Sequence, residues 1–528
     1  MSLPQDILEI AGRVWEYHLA TKLTAASLEQ RSLRLPPRVF DYLPKVPLSP
    51  KLLDLPTPTL TVLTQGVDAL PESMQLPPQD LRTLSTWLYM AAGRRPGVPD
   101  IRPAELYVAA FAIDGLTPGL YHFAPVEFAL RQLRDGPETL ALLRRGRPDL
   151  QFLGTVPAAL LVSTLFATAG AIGGRRGYRT ALLDAGAIAA DCIAVATGLG
   201  IRTVSRLKMT DGPTRELIGL PEDYDDASAE AVQAMIVWAD EATRPMPPGE
   251  PTDGHLTSVP RPPSGVSPPI VVAVHREIVA RGVPAREVRP PWTDLSPVAI
   301  NVPTDTLTGG GTLPGKPLRE TLVAIRPAER FVRKPVGRDQ LCAISSAGFR
   351  TGTIYPLRPD GGHAALVRGM WVTQDAVAHE AGLWYHDPIA DGWGYLENGE
   401  FRTQTGPLTR SRFEFEDASA VCAIVANLRK LLLEAGPDAY RLAHLEAGLA
   451  ARRMTMAATS LGFASQTYDD FYDDAWKQFL HLTTTGWEVL AVFAIGGMAV
   501  PRTVRLVPAK DGVDDEKPKT SGIIGFRD

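Results

Sequence analysis

A chain of 528 residues is too long for one ordinary hydrophobic core and implies two to four domains. With 45% apolar residues, 21% charged residues and a net charge of −5, it describes a globular protein and excludes a global basic field for nucleic acid. Three distant cysteines (Cys192, Cys342, Cys422) without a CxxC pair exclude a disulfide framework and fit a reducing, cytoplasmic compartment.

In chain order, the pattern predicts a helix over Asp6 to Leu19, with no apolar h-region of a signal peptide, and then a Pro-rich lead-in to about residue 60. Residues 61–243 alternate helix-like and strand-like runs: a helix at Leu81–Ala92, a strand at Glu105–Phe111 and a hairpin carrying Gly119-Leu120-Tyr121. Pro157 to Gly174 is uncharged and long enough to weigh as a membrane span. Its Ser, Thr and Gly content, with Arg175-Arg176 following at once, point instead to a buried strand running into a loop. Residues 244–316 are a Pro/Gly-rich linker holding one amphipathic piece, IVVAVHREIVARG. Alternation returns over 317–507, with a helix from Asp339 to Ala347, a strand at Arg368–Thr373 and a second hairpin. Residues 508–528 read as a flexible tail. Trp487 to Val500 is apolar but too short to span a bilayer, and no membrane association is expected.

The chain repeats itself. YRTALLDAGAIAADCIAVATGLGI, from Tyr178, lies without a gap on YRLAHLEAGLAARRMTMAATSLGF, from Tyr440, 262 positions later. Gly119–Pro125 answers to Gly382–Pro388, and Pro96–Pro99 to Pro359–Gly362, both at 263. Several matches in one order at nearly one offset imply a duplicated domain, with copies at 61–243 and 317–507. The repeated helix is apolar on nearly all sides in its first copy. It should therefore be central and buried, with small residues (Ala185, Gly186; Ala447, Gly448) admitting a second backbone.

These blocks resemble the SagB/ThcOx-type dehydrogenases of the nitroreductase superfamily. The resemblance is carried by Tyr17-His18-Leu19-Ala20-Thr21-Lys22 (YHxxTK), PGVPDIRPAELYV from Pro96, GLTPGLYHFAP, Arg176-Gly177-Tyr178-Arg179 with Leu183-Asp184-Ala185-Gly186 (RxYRxxxLDAG) and the Leu217–Leu220 segment. It covers most of residues 10–240, and the second copy reads as more divergent. It implies an α+β fold, two tandem nitroreductase-like domains forming an intramolecular pseudo-dimer, with FMN at the interface between them. Two copies in one chain would build the family's dimer internally, and one of the two pockets is then free to decay.

The resemblance also implies the site. The phosphate signature has no arginine in the first copy (DALPE, from Asp68). In the second it reads RPAERF, placing Arg326 and Arg330 in the cationic slots. The ring-side loop corresponds to Arg358, Pro359, Asp360, Gly361 and Gly362. The loop facing the reactive flavin nitrogen corresponds to Leu207-Lys208-Met209 or to Asp469-Asp470-Phe471. An acidic pair beside a reduced flavin is unfavourable and Lys208 favourable. The expected pocket therefore joins Arg175, Arg176, Arg179, Leu207 and Lys208 to Arg326, Arg330 and 358–362. Lys208 and Tyr178 are the catalytic candidates, with Glu434 and His363 as further base types.

The implied activity is FMN-dependent oxidation of an azoline to an azole in a ribosomal peptide. The substrate would be a precursor peptide or a small molecule, and a cyclodehydratase a partner. The family's lysine–tyrosine pair is replaced by Ile172-Gly173 and Glu434-Ala435. That leaves open an FMN oxidoreductase for a nitro, quinone or dehydroamino acid substrate, or a non-catalytic scaffold. GxxxxGK at Gly310–Lys316 ends on Pro317 where Mg²⁺ binding needs Ser or Thr, which sets aside a nucleotide loop. Scattered histidines offer no metal-ligand spacing, so no metal is expected.

Overall fold

The computed structural model describes residues 5–24, 27, 40–93, 102–146, 151–207, 211–220, 230–239, 267–280, 313, 315–328, 330–349, 366–377, 380–387, 392–410 and 415–499. The first half runs α1 (Gln5–Ala20), β1 (Lys45–Pro47), α2 (Thr59–Gln65), α3 (Leu81–Ala92), β2 (Ala104–Ala110), β3 (Gly119–Ala124), β4 (Ala129–Asp135), α4 (Gly136–Gly146), β5 (Ala158–Leu165), α5 (Phe166–Gly173), α6 (Gly177–Gly198), β6 (Thr203–Arg206), α7 (Asp211–Leu217) and β7 (Glu230–Trp238). After α8 (Pro269–Ala280), the second half begins with α9 (Leu318–Ala324), β8 (Phe331–Val332), β9 (Val336–Gly337), α10 (Arg338–Phe349), β10 (Arg368–Thr373), β11 (Ala376–Val377), β12 (Gly382–Asp387) and β13 (Gly392–Asn398). It ends with α11 (Arg402–Thr405), β14 (Ala420–Ala426), α12 (Leu428–Ala435), α13 (Asp438–Ser460), β15 (Ala464–Tyr468), α14 (Asp473–Phe479) and β16 (Glu488–Met498). The fold class is α+β.

The sheet orders are β1-β4-β3-β2-β5-β7-β6 and β13-β12-β10-β14-β16-β15, the second with β8 added beside β16. Apart from β1 and β8 the two orders coincide strand for strand, and all the pairings are antiparallel. Register irregularities also recur. β3/β4 slips at Leu120/Tyr121 and β12/β13 at Leu383/Trp384; β5/β7 slips at Val162/Ser163 and β14/β16 at Ile424/Val425.

The central helices α6 and α13 lie between the sheets, and one apolar core containing both helices continues through the two halves. Separate clusters pack the outer faces, α4 and α7 on the first sheet and Trp476 of α14 on the second. Small residues let α6 and α13 touch backbone to backbone. A Cβ on Gly186 would stand 2.0 Å from Leu445 O, and one on Gly448 would stand 2.0 Å from Leu183 O. These two contacts exchange the same pair of positions, 262 apart, as a twofold axis requires. A second reciprocal pair joins α2 to α9: Thr59 N donates to Lys316 O at 3.0 Å, and Leu318 N to Thr57 O at 2.9 Å.

Two helices cross between the halves. α1 packs on α12 of the second half, and α8 packs on α5 of the first, while α1 and α8 also touch each other. Each brings a histidine to the far helix. His18 Nδ1 lies 3.4 Å from Tyr440 Oη, and His275 Nδ1 lies 2.9 Å from Tyr178 Oη. The segment read as a linker thus contains a structural counterpart of α1. The loop expected after β5 is also corrected: Phe166–Gly173 is helical, with a largely buried face against α6. Phe166–Gly198 is the one described stretch long and apolar enough to cross a membrane, and 89% of its most apolar window is buried inside the protein, as a core helix is.

Candidate functional site

A cavity of about 300 Å³ opens between the halves, within the range of small-molecule sites. Helical periodicity supplies two of its walls. Thr180, Leu183, Asp184 and Ala187 form one stripe of α6; Gly448, Ala451, Arg452 and Thr455 form the matching stripe of α13. Arg102 enters just ahead of β2, Ile325-Arg326-Pro327 follow α9, and Ser465, Gln466, Thr467 and Asp469 come from β15 and the turn after it. A bridge between Pro327 and Ser465 ties these last two segments together.

Three arginines face two aspartates here. Arg326 Nη1 donates to Val323 O at 2.6 Å and Ile325 O at 2.7 Å, satisfying carbonyls at the end of α9. Arg452 is fixed by a two-point ion pair, Nε and Nη2 to Asp191 Oδ1 and Oδ2 at 2.7 and 2.9 Å. Asp184 Oδ2 accepts from Ala104 N at 3.1 Å; burial pushes this carboxyl above the usual range, against the opposing pull of Arg102. Asp469 Oδ2 accepts from Thr180 Oγ1 at 2.5 Å, a bond between the halves. Ser465 is only 4% exposed, and its Oγ has no partner in the protein. The site therefore offers guanidinium groups to an anion, small-residue walls to a flat ring, and a hydroxyl to a ligand.

Of the residues expected from the sequence, the structure brings Arg326 to this cavity. Arg330 is exposed at the start of β8 and is not among the lining residues. Arg176 and Arg179 lie elsewhere, 3% and 0% exposed, with Nη1 atoms 2.6 and 2.8 Å from the two oxygens of Asp473. Arg175 contributes its carbonyl to the Tyr17 hydroxyl. Tyr178 is fully buried against His275, and Leu207 is a core residue. Lys208 and residues 358–362 lie outside the described residues. Asp469, whose acidic loop the charge argument disfavours relative to Lys208, shares a cavity with Arg326. Arg102, Thr180, Asp184, Arg452 and Ser465 were missed. The available signal was Arg452 itself, a cation standing where the first copy of the repeated helix has Ala190.

Residues 330–497 match the Nitroreductase family model. The match falls in the second half, although its motifs read as the more divergent. The chain is also 27% identical over 157 residues to "Putative nitroreductase MJ1384" of Methanocaldococcus jannaschii, an overlap of 28% of this chain and 77% of that protein. In overall structure it is similar to a "putative nitroreductase" from Anabaena variabilis, with a TM-score of 0.68 and 17% identity over 92% of this chain and 99% of that one. That likeness establishes the nitroreductase fold across both halves.

Within this fold the internal symmetry provides a control. Offsets of 262 for α6/α13 and β6/β15, and 259 for α2/α9, locate the position related to the cavity. There Val67 stands for Arg326, Ala190 for Arg452, Ile193 for Thr455, Leu442 for Thr180 and Leu207 for Asp469. Asp184 keeps its chemistry as Glu446, which accepts from Leu366 N at 2.6 Å. The polar groups that differ belong to the cavity; the acid retained at both places anchors the start of β2 or the run into β10.

Proposed function

We propose that the chain is an FMN-dependent oxidoreductase built from two copies of one domain, with a single cofactor held in the cavity between them. The observation that carries this is the asymmetry just described: three arginines line one interfacial position, while apolar residues replace two of them at its mate. Arg326 and Arg102 would meet the phosphate, Ser465 Oγ would donate to the cofactor, and Ala187, Gly448 and Ala451 would leave room for the ring. When bound, FMN supplies a two-electron acceptor or donor. The protein's part is to hold it between α6 and α13, exclude water and place a proton-carrying group beside the substrate.

By the motif resemblance, the reaction is dehydrogenation of a peptide azoline in a cytoplasmic maturation pathway, with a precursor peptide as substrate and a cyclodehydratase as partner. A second reading, another substrate such as a quinone, nitro compound or dehydroamino acid, is favoured by α5. Its Ile172 and Gly173 occupy the places of the family's lysine–tyrosine pair.

The test is the visible spectrum of purified protein, followed by heat release and identification of any flavin. About one FMN per chain, lost in Arg326→Ala, is expected. Two per chain would overturn the single-site assignment. Colourless protein that takes up no added FMN would overturn the enzyme and leave the scaffold.

A further inference from the structure

The geometry points to Asp469 as the proton-carrying group of this site, held in place across the interface by Thr180. Asp469 lines the cavity, and its Oδ2 is fixed by the Thr180 hydroxyl at 2.5 Å, leaving Oδ1 to receive or give a proton. The cavity holds one other carboxyl, Asp184, and the internal symmetry separates the two. Asp184 has an acidic counterpart, Glu446, doing the same backbone-anchoring work where the arginines are missing. The Thr180–Asp469 bond has no counterpart: the related positions are Leu442 and Leu207. A hydroxyl–carboxylate pair confined to the half of the interface that carries Arg326 and Arg452 belongs to what happens in that cavity. The orphan Oγ of Ser465, 4% exposed on the same wall, independently points to a ligand in this cavity.

The assignment rests on FMN occupying the cavity. In the oxidative direction two adjacent hydrogens leave the substrate and a double bond forms. One would depart with its electron pair to bound FMN, which would supply the two-electron oxidant. The other leaves as a proton to the Asp469 carboxylate. In the reductive direction the Asp469 carboxyl returns the proton to the reduced substrate. Arg176 and Arg179 take no part, since their side chains are paired with Asp473.

The experiment is stopped-flow reoxidation of the dithionite-reduced, FMN-loaded protein by menadione between pH 5 and 9, with FMN affinity measured separately by fluorescence quenching. Asp469→Asn should bind FMN within about twofold of the parent. It should react about 100-fold more slowly or worse, in the range expected for removing a general acid. Thr180→Val should slow the reaction less, and Thr180→Ser, which restores the hydroxyl, should recover the rate. An Asp469→Asn protein with the parent's rate and pH profile would overturn the assignment while leaving the FMN site standing. Loss of FMN in Asp469→Asn would make the carboxylate a cofactor contact and overturn its proton role. A parent protein that takes up no FMN would overturn both.

Discussion

The backbone contact between the two central helices gives a sharp test. A methyl group added at Gly186 would stand 2.0 Å from Leu445 O and 2.9 Å from Leu449 N, both backbone atoms of the facing helix. Ordinary contact is about 3.5 Å, so α6 and α13 must part by roughly 1.5 Å along this line. No rotamer change relieves a backbone clash, and both helices carry the shared core. Overpacking of this kind costs about 1–3 kcal/mol and occasionally more, against about 1 kcal/mol gained by removing a helical glycine. Gly186→Ala should therefore lower the urea midpoint by the equivalent of about 1–2 kcal/mol, with the slope unchanged. Gly448→Ala should do the same through Leu183 O, and should also weaken FMN binding because Gly448 lines the cavity. A Gly186→Ala protein as stable as the parent would refute the close packing of the two halves.

Asp473→Asn leaves the Arg176 and Arg179 guanidinium groups buried without a counter-charge and should cost about 3–5 kcal/mol in denaturant titration. Burial alone would raise the Asp473 carboxyl, but these two arginines outweigh it and hold it down at about 2. Its contribution is thus complete above the ordinary carboxylate range and is lost only as pH falls through about 2. His18 acts at milder pH. Burial, reinforced by Arg179, lowers it from 6.5 to about 4, so between those values the unfolded chain binds a proton that the fold refuses. Stability should drop as pH falls from 6.5 to 4, by about 3 kcal/mol from this group, and His18→Gln should flatten the decline of the urea midpoint. Asp191→Asn, which frees the Arg452 guanidinium, should weaken FMN uptake more than it lowers the melting temperature; the reverse order would make this ion pair purely structural.

Much of the architecture was legible because periodicity is local. The sequence pattern matches Leu81–Ala92 and Arg368–Thr373 to the residue, and α10 and β2 within one or two. The burial of the repeated helix is legible because Gly186 and Gly448 stand amid alanines and leucines with no polar face in the first copy. Phe166–Gly173 escaped because a short run of small apolar residues has no stripe to mark it as helical. α8 was seen as amphipathic, but what its apolar face covers is a long-range fact. The site was legible only where charge had a local signature. Arg326 reached the cavity from the RPAERF pattern. Arg176 and Arg179 looked just as available, yet their partner, Asp473, lies nearly 300 positions away and nothing near them announces it.

The crossing of α1 and α8 also sets an order of events during synthesis. α8 finds α5 already made. α1, although produced first, meets α12 only when that helix is translated, about 410 residues later, which at 5–20 residues per second is roughly 20–80 s. Throughout that time Val14, Trp15 and Tyr17, all buried in the finished protein, have no far half to cover them. Until the last quarter of the chain has left the ribosome, α1 is therefore covered by α8 and by its contacts in the first half, among them Tyr17 against Tyr178 and the Arg175 carbonyl.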